Sequence, residues 1–298
     1  MTVTNNPRSE RFLADLDRIN ERQDRVQRQI SSGYRVNQPS DGPDQIIDIL
    51  QLKSDISRAD SIKTNLTRVS AEVDTSEAAL RVAEQLMERV RTLAAQTATT
   101  TATNRIAVSD EVKQIHEQLV AITKTVSEGR FVFGGDSDQS APYSFNWGLA
   151  GGINPPAVIT NTRKIEDVNG TKFSVAHSAS EIFDAAGADN VFNAVWMLGK
   201  ALEADDATLV EGAASLIGTS LEHIGRELAF YGHTQNRVDN AKTLVQSSLF
   251  SRTQELSQTR DTDIAAALIE LSTVKVHLQA ALGAKAQEPR SSLFDFLA

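Results

Sequence analysis

The sequence predicts a mainly α fold: a long antiparallel coiled-coil-like helical bundle built from both chain ends, with a small central β-rich domain. Three observations predict it. Residues 10–128 and 190–286 place apolar side chains in the alternating 3-4 spacing of a packed helix face. Residues 129–187 break that period with glycines and β-branched residues. Aromatic residues make up only 5% of the 298 residues, against 40% hydrophobic residues in all, which suits extended helix packing better than a deep ligand pocket. The expected division is therefore 1–40 plus 260–298 as a terminal coiled-coil domain that orders on assembly, 41–128 plus 188–259 as a helical bundle, and 129–187 as a β-rich tip.

The first helix is expected from Pro7 to about Ile30. Asn6 can cap it, and Pro7 suits the first helical position, where an N–H would lack a partner anyway. Phe12, Leu16, Ile19, Gln23, Val26 and Ile30 form its seam, and Gly33 stops it. Its arginines are offset by acids, with Glu21→Arg25 and Asp24→Arg28 in the favourable i,i+4 order, so they read as a solvated face. Pro39-Ser40-Asp41-Gly42-Pro43 is a turn and a new helix start, capped by Ser40 or Asp41. The next helix is expected to run to about Ala98, with Ala59, Ile62, Leu66, Val69, Val73, Ser76, Leu80, Ala83, Met87, Val90 and Ala94 in unbroken alternation. At 1.5 Å per residue, residues 44–98 would span about 80 Å. Thr97–Thr103 reads as a loop, because threonine suits helix interiors poorly. A further helix carries Val108, Val112, Ile115, Leu119, Ile122 and Val126 and ends at Gly129.

In the centre, Arg130–Gly135 reads as a strand and turn, and Gly148–Pro156 as an exposed loop. Arg163–Val168, Asn169-Gly170 and Thr171–Ala176 predict a hairpin with a two-residue loop, which sets Asp167 opposite Lys172. Helix is expected again at about Asn190–Leu202 and Leu209–Glu255, the latter with Ile217, Leu221, Ile224, Leu228, Tyr231, Val238, Val245 and Leu249 inward. Asp261 or Thr262 is expected to cap a last helix carrying Ile264, Leu268, Leu271, Lys275, Leu278 and Leu282.

A formal charge of −9 argues against a generic nucleic-acid binder or attraction to an anionic membrane. The absence of cysteine excludes disulfides, thiolate metal sites and a cysteine nucleophile. The first 30 residues lack the apolar stretch of a cleavable signal, and apolar runs such as Ala194–Leu198 fall short of a membrane span. No GxSxG, P-loop, HExxH or strand-borne GxGxxG occurs. His223 and Glu227 stand i,i+4 but lack a third metal ligand in sequence reach. Gly135-Asp136-Ser137-Asp138 lacks the later glycine and glutamate of a calcium loop and reads as a turn. No catalytic residue, cofactor, metal or small-molecule substrate is therefore assigned.

The ends carry the function on this reading. Two isolated helices bury too little to be stable alone, so 7–30 and 262–286 need each other and neighbouring subunits. Leu13, Leu16, Ile19, Val26 and Ile30 are expected to pack against Ile264, Leu268, Leu271, Leu278 and Leu282 and against adjacent subunits. Each well-buried aliphatic side chain is worth about 1.5–3 kcal/mol. Leu293, Phe294, Phe296 and Leu297 would be an exposed apolar cluster in a monomer and join the same packing set.

At these residues the chain resembles the bacterial flagellin superfamily. Ile30–Pro43 (ISSGYRVNQPSDGP) is similar to the family's LSSGKRINSPSDDP segment, and Leu256–Ala265 to its C-terminal S-x-x-x-D-x-D-[IL]-A. Gly129–Gly135, Val191–Ala194 and Ser291–Leu297 resemble GRYLFAG, DVFDAL and SLLDYL of the hook-associated protein 3 group. Tyr34 stands in place of lysine, Gly42 of an aspartate and Arg260 of a frequent glutamate, and Ala298 extends the usual ending. The resemblance implies a structural axial protein of the flagellum, not an enzyme. It implies export through the flagellar type III apparatus without a cleaved signal, and an extracellular location at the hook–filament junction. It implies as partners further copies of the chain in a ring or helical assembly, hook-associated protein 1, flagellin and an export chaperone, and no nucleic acid or membrane. Alternatives are a flagellin filament subunit, a cytoplasmic coiled-coil scaffold, and a metal-dependent enzyme using His223 and Glu227.

Overall fold

The computed structural model describes residues 7–97, 102–154 and 163–287. They form seven α-helices and six short strands: α1 (Pro7–Ser32), α2 (Pro43–Thr97), α3 (Ala102–Ile122), β1 (Val126–Ser127), β2 (Arg130–Phe131), β3 (Ser144–Phe145), β4 (Ile153–Asn154), β5 (Lys164–Glu166), β6 (Lys172–Ser174), α4 (Ala179–Ile182), α5 (Val191–Glu203), α6 (Ala207–Arg260) and α7 (Ile264–Ala286). The strands pair only as three separate antiparallel hairpins, β1–β2, β3–β4 and β5–β6. The fold is mainly α, with long helices from both ends and small sheets confined to the centre, as the periodicity predicts.

The chain divides into two compact units. Residues up to Arg58 and from Leu249 onward form one, and Ala59–Ser248 the other. In the larger unit the predicted α2 seam is buried from Ala59 to Ala94, with only Ile62 half-exposed. The α6 seam differs from the prediction. Val210, Ile217, Ile224, Tyr231, Val238 and Val245 recur every seven residues and are all buried. The alternate buried positions are small or polar: Ala213, Ser220, Glu227, Thr234 and Ala241. Leu221, Leu228 and Leu249 lie on the flank and are half-buried.

Alongside, α3 packs on α5, and the β3–β4 loop closes over both. An aromatic cluster fills this site. His116 lies 5.6 Å from both Trp147 and Phe192, and Tyr143 lies 5.2 Å from Phe192. The Trp147 ring seats so closely on Gly199 that a Cβ there would stand 2.5 Å from it, a distance only glycine permits. Gly148–Asn154 is thus no free loop. Ile153 and Gly152 are buried, and strand β4 pairs with β3; residues 155–156 of that expected loop lie outside the described residues, as do Asn6 and residues 98–101.

Three local expectations need correction. Helix α3 ends at Ile122, not near Gly129, because the chain turns back through Glu128 (φ 50°) and Gly129 (φ 79°). Two successive positive φ angles make the tight turn that matches strand twist, so Val126 pairs with Phe131 in a hairpin. The β5–β6 hairpin has a three-residue loop. Glu166, not Asp167, faces Lys172, and Asp167 closes the turn. The Asp167 carboxylate accepts the N–H groups of Asn169 and Thr171, both at 2.9 Å, which withdraws it from the ladder. Gly170 then takes the left-handed position (φ 82°). Finally, Asp263 caps α7, accepting the Ala266 N–H at 3.1 Å. Asp261 is engaged elsewhere, by the Ser257 hydroxyl at 2.6 Å and Arg260 at 3.0 Å.

Candidate assembly surface of the terminal helices

The smaller unit is built around the contact of α1 with α7. Phe12, Leu16, Ile19, Gln23, Val26 and Ile30 all face inward on α1, with Val26 fully buried. On α7 the inward positions are Ala267, Leu271, Val274, Leu278 and Ala281. Small alanines let the backbones approach, and Val274 is the fully buried centre. Two polar contacts set the register: Arg22 Nε to Glu270 Oε1 at 2.7 Å, and Lys285 Nζ over the Phe12 ring at 5.4 Å. Both lie near the surface, and exposed pairs add little, about 0–1 kcal/mol each; the apolar seam carries the pairing.

A clasp ties the ends of this pair to their continuations α2 and α6. The peptide N–H groups of Arg35 and Val36 both donate to the Arg260 carbonyl, at 2.7 and 3.4 Å. Thr262 donates to the Gly33 carbonyl at 2.9 Å, and Arg35 Nη2 to the Thr259 carbonyl at 2.8 Å. The Arg260 guanidinium lies 3.7 Å from the centre of the Tyr34 ring. Gly33 makes the reversal at φ 74°, open to glycine without strain. Beneath the clasp, Val36, Ile49, Leu52 and Leu256 form a small core, flanked by Ile46 and Ile56. The segments 30–43 and 256–265, more than 200 residues apart in sequence, thus form one structural feature. The serine and arginine bonds hold the Asp261 carboxyl below its ordinary range.

The sequence-predicted packing residues distribute unevenly. Leu16, Ile19, Val26, Ile30, Leu271 and Leu278 face the α1–α7 contact. Leu13, Ile264, Leu268 and Leu282 do not; each is at least half exposed in the single chain. Ile269 (69% exposed) and Val276 extend that outward face, a pair the sequence reasoning did not single out. Leu293, Phe294, Phe296 and Leu297 lie outside the described residues. Helix α7 is also long and apolar enough to cross a membrane by length and composition, with 11% of the qualifying window buried. Run length alone missed this, because Glu270, Ser272, Thr273, Lys275, His277 and Gln279 break its apolar residues into short runs. The outward α7 residues leave a series of exposed apolar side chains along this unit.

The chemistry-bearing residues serve the fold. His223 Nε2 donates to the Glu181 carbonyl at 3.1 Å, while Glu227 accepts from His177 Nδ1 at 2.6 Å. The i,i+4 pair is thus split between two partners. Tyr231 meets the His177 peptide, and Arg226 pairs with Asp189 at 2.9 Å, so one face of α6 fastens segment 177–189. The Glu227 bond raises the His177 pKa, whereas burial lowers that of His116 to about 4. Gly135–Ser137 is a 3-10 turn, with the Asp138 carboxylate spent on Arg130 and Gln139. Among the described residues no cluster of three acidic, histidine or cysteine side chains is arranged to hold a metal.

Residues 3–138 match the family model of the bacterial flagellin N-terminal helical region. A flagellin from Clostridium tyrobutyricum is 21% identical over 372 aligned positions, covering 96% of this chain and 98% of that protein. Among solved structures, flagellar hook associated protein-3 from Legionella pneumophila aligns with a TM-score of 0.62 at 13% identity, over 70% of this chain and 98% of that one. Bacillus cereus FlgL aligns at 0.56 and 18% identity, over 71% and 100%.

Proposed function

We propose that this chain, whose residues 3–138 match the bacterial flagellin N-terminal helical region, is a structural axial protein of the bacterial flagellum. It joins the hook, through hook-associated protein 1, to the flagellin filament. The supporting observation is the pairing of the two chain ends into one helical unit whose α7 keeps an apolar face outward. Burying Leu268, Ile269, Val276 and Leu282 against neighbouring copies removes that exposure, worth about 1–2 kcal/mol per half-exposed side chain. On this reading the chain has no catalytic role, and His223 and Glu227 are fastenings of the fold. Leu293, Phe294, Phe296 and Leu297 extend the same packing set. The expected division into terminal, bundle and tip domains is kept as part of the proposal, with segment 129–187 exposed to the medium. Export through the flagellar type III apparatus with a dedicated chaperone belongs to the same proposal.

A flagellin filament subunit is the second reading, and end-to-end similarity to the Clostridium flagellin favours it. Gold-conjugated antibody to residues 130–187, applied to intact flagella, separates the two. The junction role predicts one labelled spot between hook and filament. Label along the whole filament would make the chain a filament subunit, and unlabelled flagella would overturn both.

A further inference from the structure

The three-residue loop of the β5–β6 hairpin carries an exposed Asn-Gly dipeptide. Asn169-Gly170 is the sole Asn-Gly pair in the chain, and both residues are exposed. An asparagine side-chain amide is open to attack by the peptide nitrogen of the next residue. The attack is fastest where that residue has no Cβ to block the approach. Around Gly170 the space is open: a Cβ built there would meet only Glu166 Oε1, at 3.9 Å. Other asparagines are poorer candidates on two counts. Asn37, Asn154, Asn190 and Asn236 spend their side-chain amides on hydrogen bonds, to Tyr34, Ser144, Asp184 and Gly232. None of the four precedes a glycine.

We propose that Asn169 is a self-modifying site, converting in the folded chain to aspartate and isoaspartate through a cyclic imide with Gly170. The Gly170 peptide nitrogen bonds to the Asn169 side-chain carbonyl carbon. The carbon–nitrogen bond of the amide breaks, and the nitrogen leaves as ammonia with the proton that Gly170 gives up. Water then opens the five-membered ring at either carbonyl. No oxidant, reductant or enzyme is needed. Opening at one carbonyl gives aspartate, and at the other a backbone longer by one carbon. Either product adds a negative charge beside Asp167 and Glu166.

The loop also sets the consequence. Gly170 N–H donates to the Asp167 carbonyl at 3.0 Å, and Asp167 Oδ1 binds the Asn169 and Thr171 N–H groups. A lengthened backbone cannot keep all three bonds, so isoaspartate loosens the turn. The hairpin's seat is untouched, because it is made elsewhere, by Arg163 on Glu72 and by Arg237 over the Phe173 ring at 4.1 Å.

The test holds the full-length purified chain in mildly alkaline buffer and follows it by peptide mapping with mass spectrometry. Enzymatic methylation of isoaspartate supplies an independent readout. Asn169 is expected to convert before any other asparagine, with both products formed. Asn169→Gln is expected to abolish the signal and leave the melting temperature unchanged. A parallel sample in denaturant isolates the folded-state claim. Conversion confined to the denatured sample, or another asparagine converting first in the native one, would overturn the proposal.

Discussion

His116 is the residue where burial and chemistry are most tightly joined. It stands on α3 among Phe145, Trp147 and Phe192, and donates from Nε2 to the Gly151 carbonyl at 3.0 Å. Burial lowers its pKa from 6.5 to about 4, so the folded chain holds it neutral where the unfolded chain takes up a proton. Stability is therefore lost as pH falls from 6.5 towards 4 and levels off below. The shift corresponds to about 3 kcal/mol at the acid end. His177 has the opposite sign. Its raised pKa gives stability that is full below the unfolded value and declines as pH rises through the folded one. Denaturant melts across this range should show the acid limb, and His116→Gln should shrink it relative to the wild type. An unchanged acid limb in that variant would show that burial of His116 does not govern it.

At the scale of elements, legibility followed the pattern of side-chain size. Helix α2 was readable because apolar residues, interrupted only by Ser76, occupy both seam positions from Ala59 to Ala94. Helix α6 was half readable. Its every-seventh residues are large, but Ser220, Glu227 and Thr234 fill the alternate seam positions, and periodicity promoted Leu221 and Leu228 in their place. Helix α7 has apolar residues on most of its circumference, so no period distinguishes the face that meets α1 from the face left outward. The end of α3 and the β5–β6 register were set by turn chemistry, namely Glu128-Gly129 and the Asp167 carboxylate, which override a run of apolar spacing.

The clasp between 33–36 and 259–262 lies beyond any local pattern, since its halves are joined only by folding. Its two departures from the family segments, Tyr34 for lysine and Arg260 for glutamate, meet there at 3.7 Å. The pair should couple by about 0.5–1 kcal/mol in a double-mutant cycle of Tyr34→Ala and Arg260→Ala. Strict additivity of the two single changes would contradict a direct interaction.

Across the whole molecule, the ends are the least self-sufficient part. The larger unit closes its core with Leu66, Leu80, Met87, Leu119 and Phe192. The smaller unit has the α1–α7 seam and the few residues under the clasp, and it leaves Leu13, Ile264, Leu268, Ile269 and Val276 in solvent. That imbalance is what an assembling subunit requires: enough pairing to preset the ends, and enough exposed apolar surface to reward a neighbour. Position 268 separates the two roles, because it is half exposed in the single chain and lies outside the inward positions of α7. The most direct measurement is the incorporation of Leu268→Glu into flagella, set beside its circular dichroism and melting as a purified chain. The assembly account predicts wild-type helicity and melting with incorporation abolished. A variant that incorporates normally would contradict it.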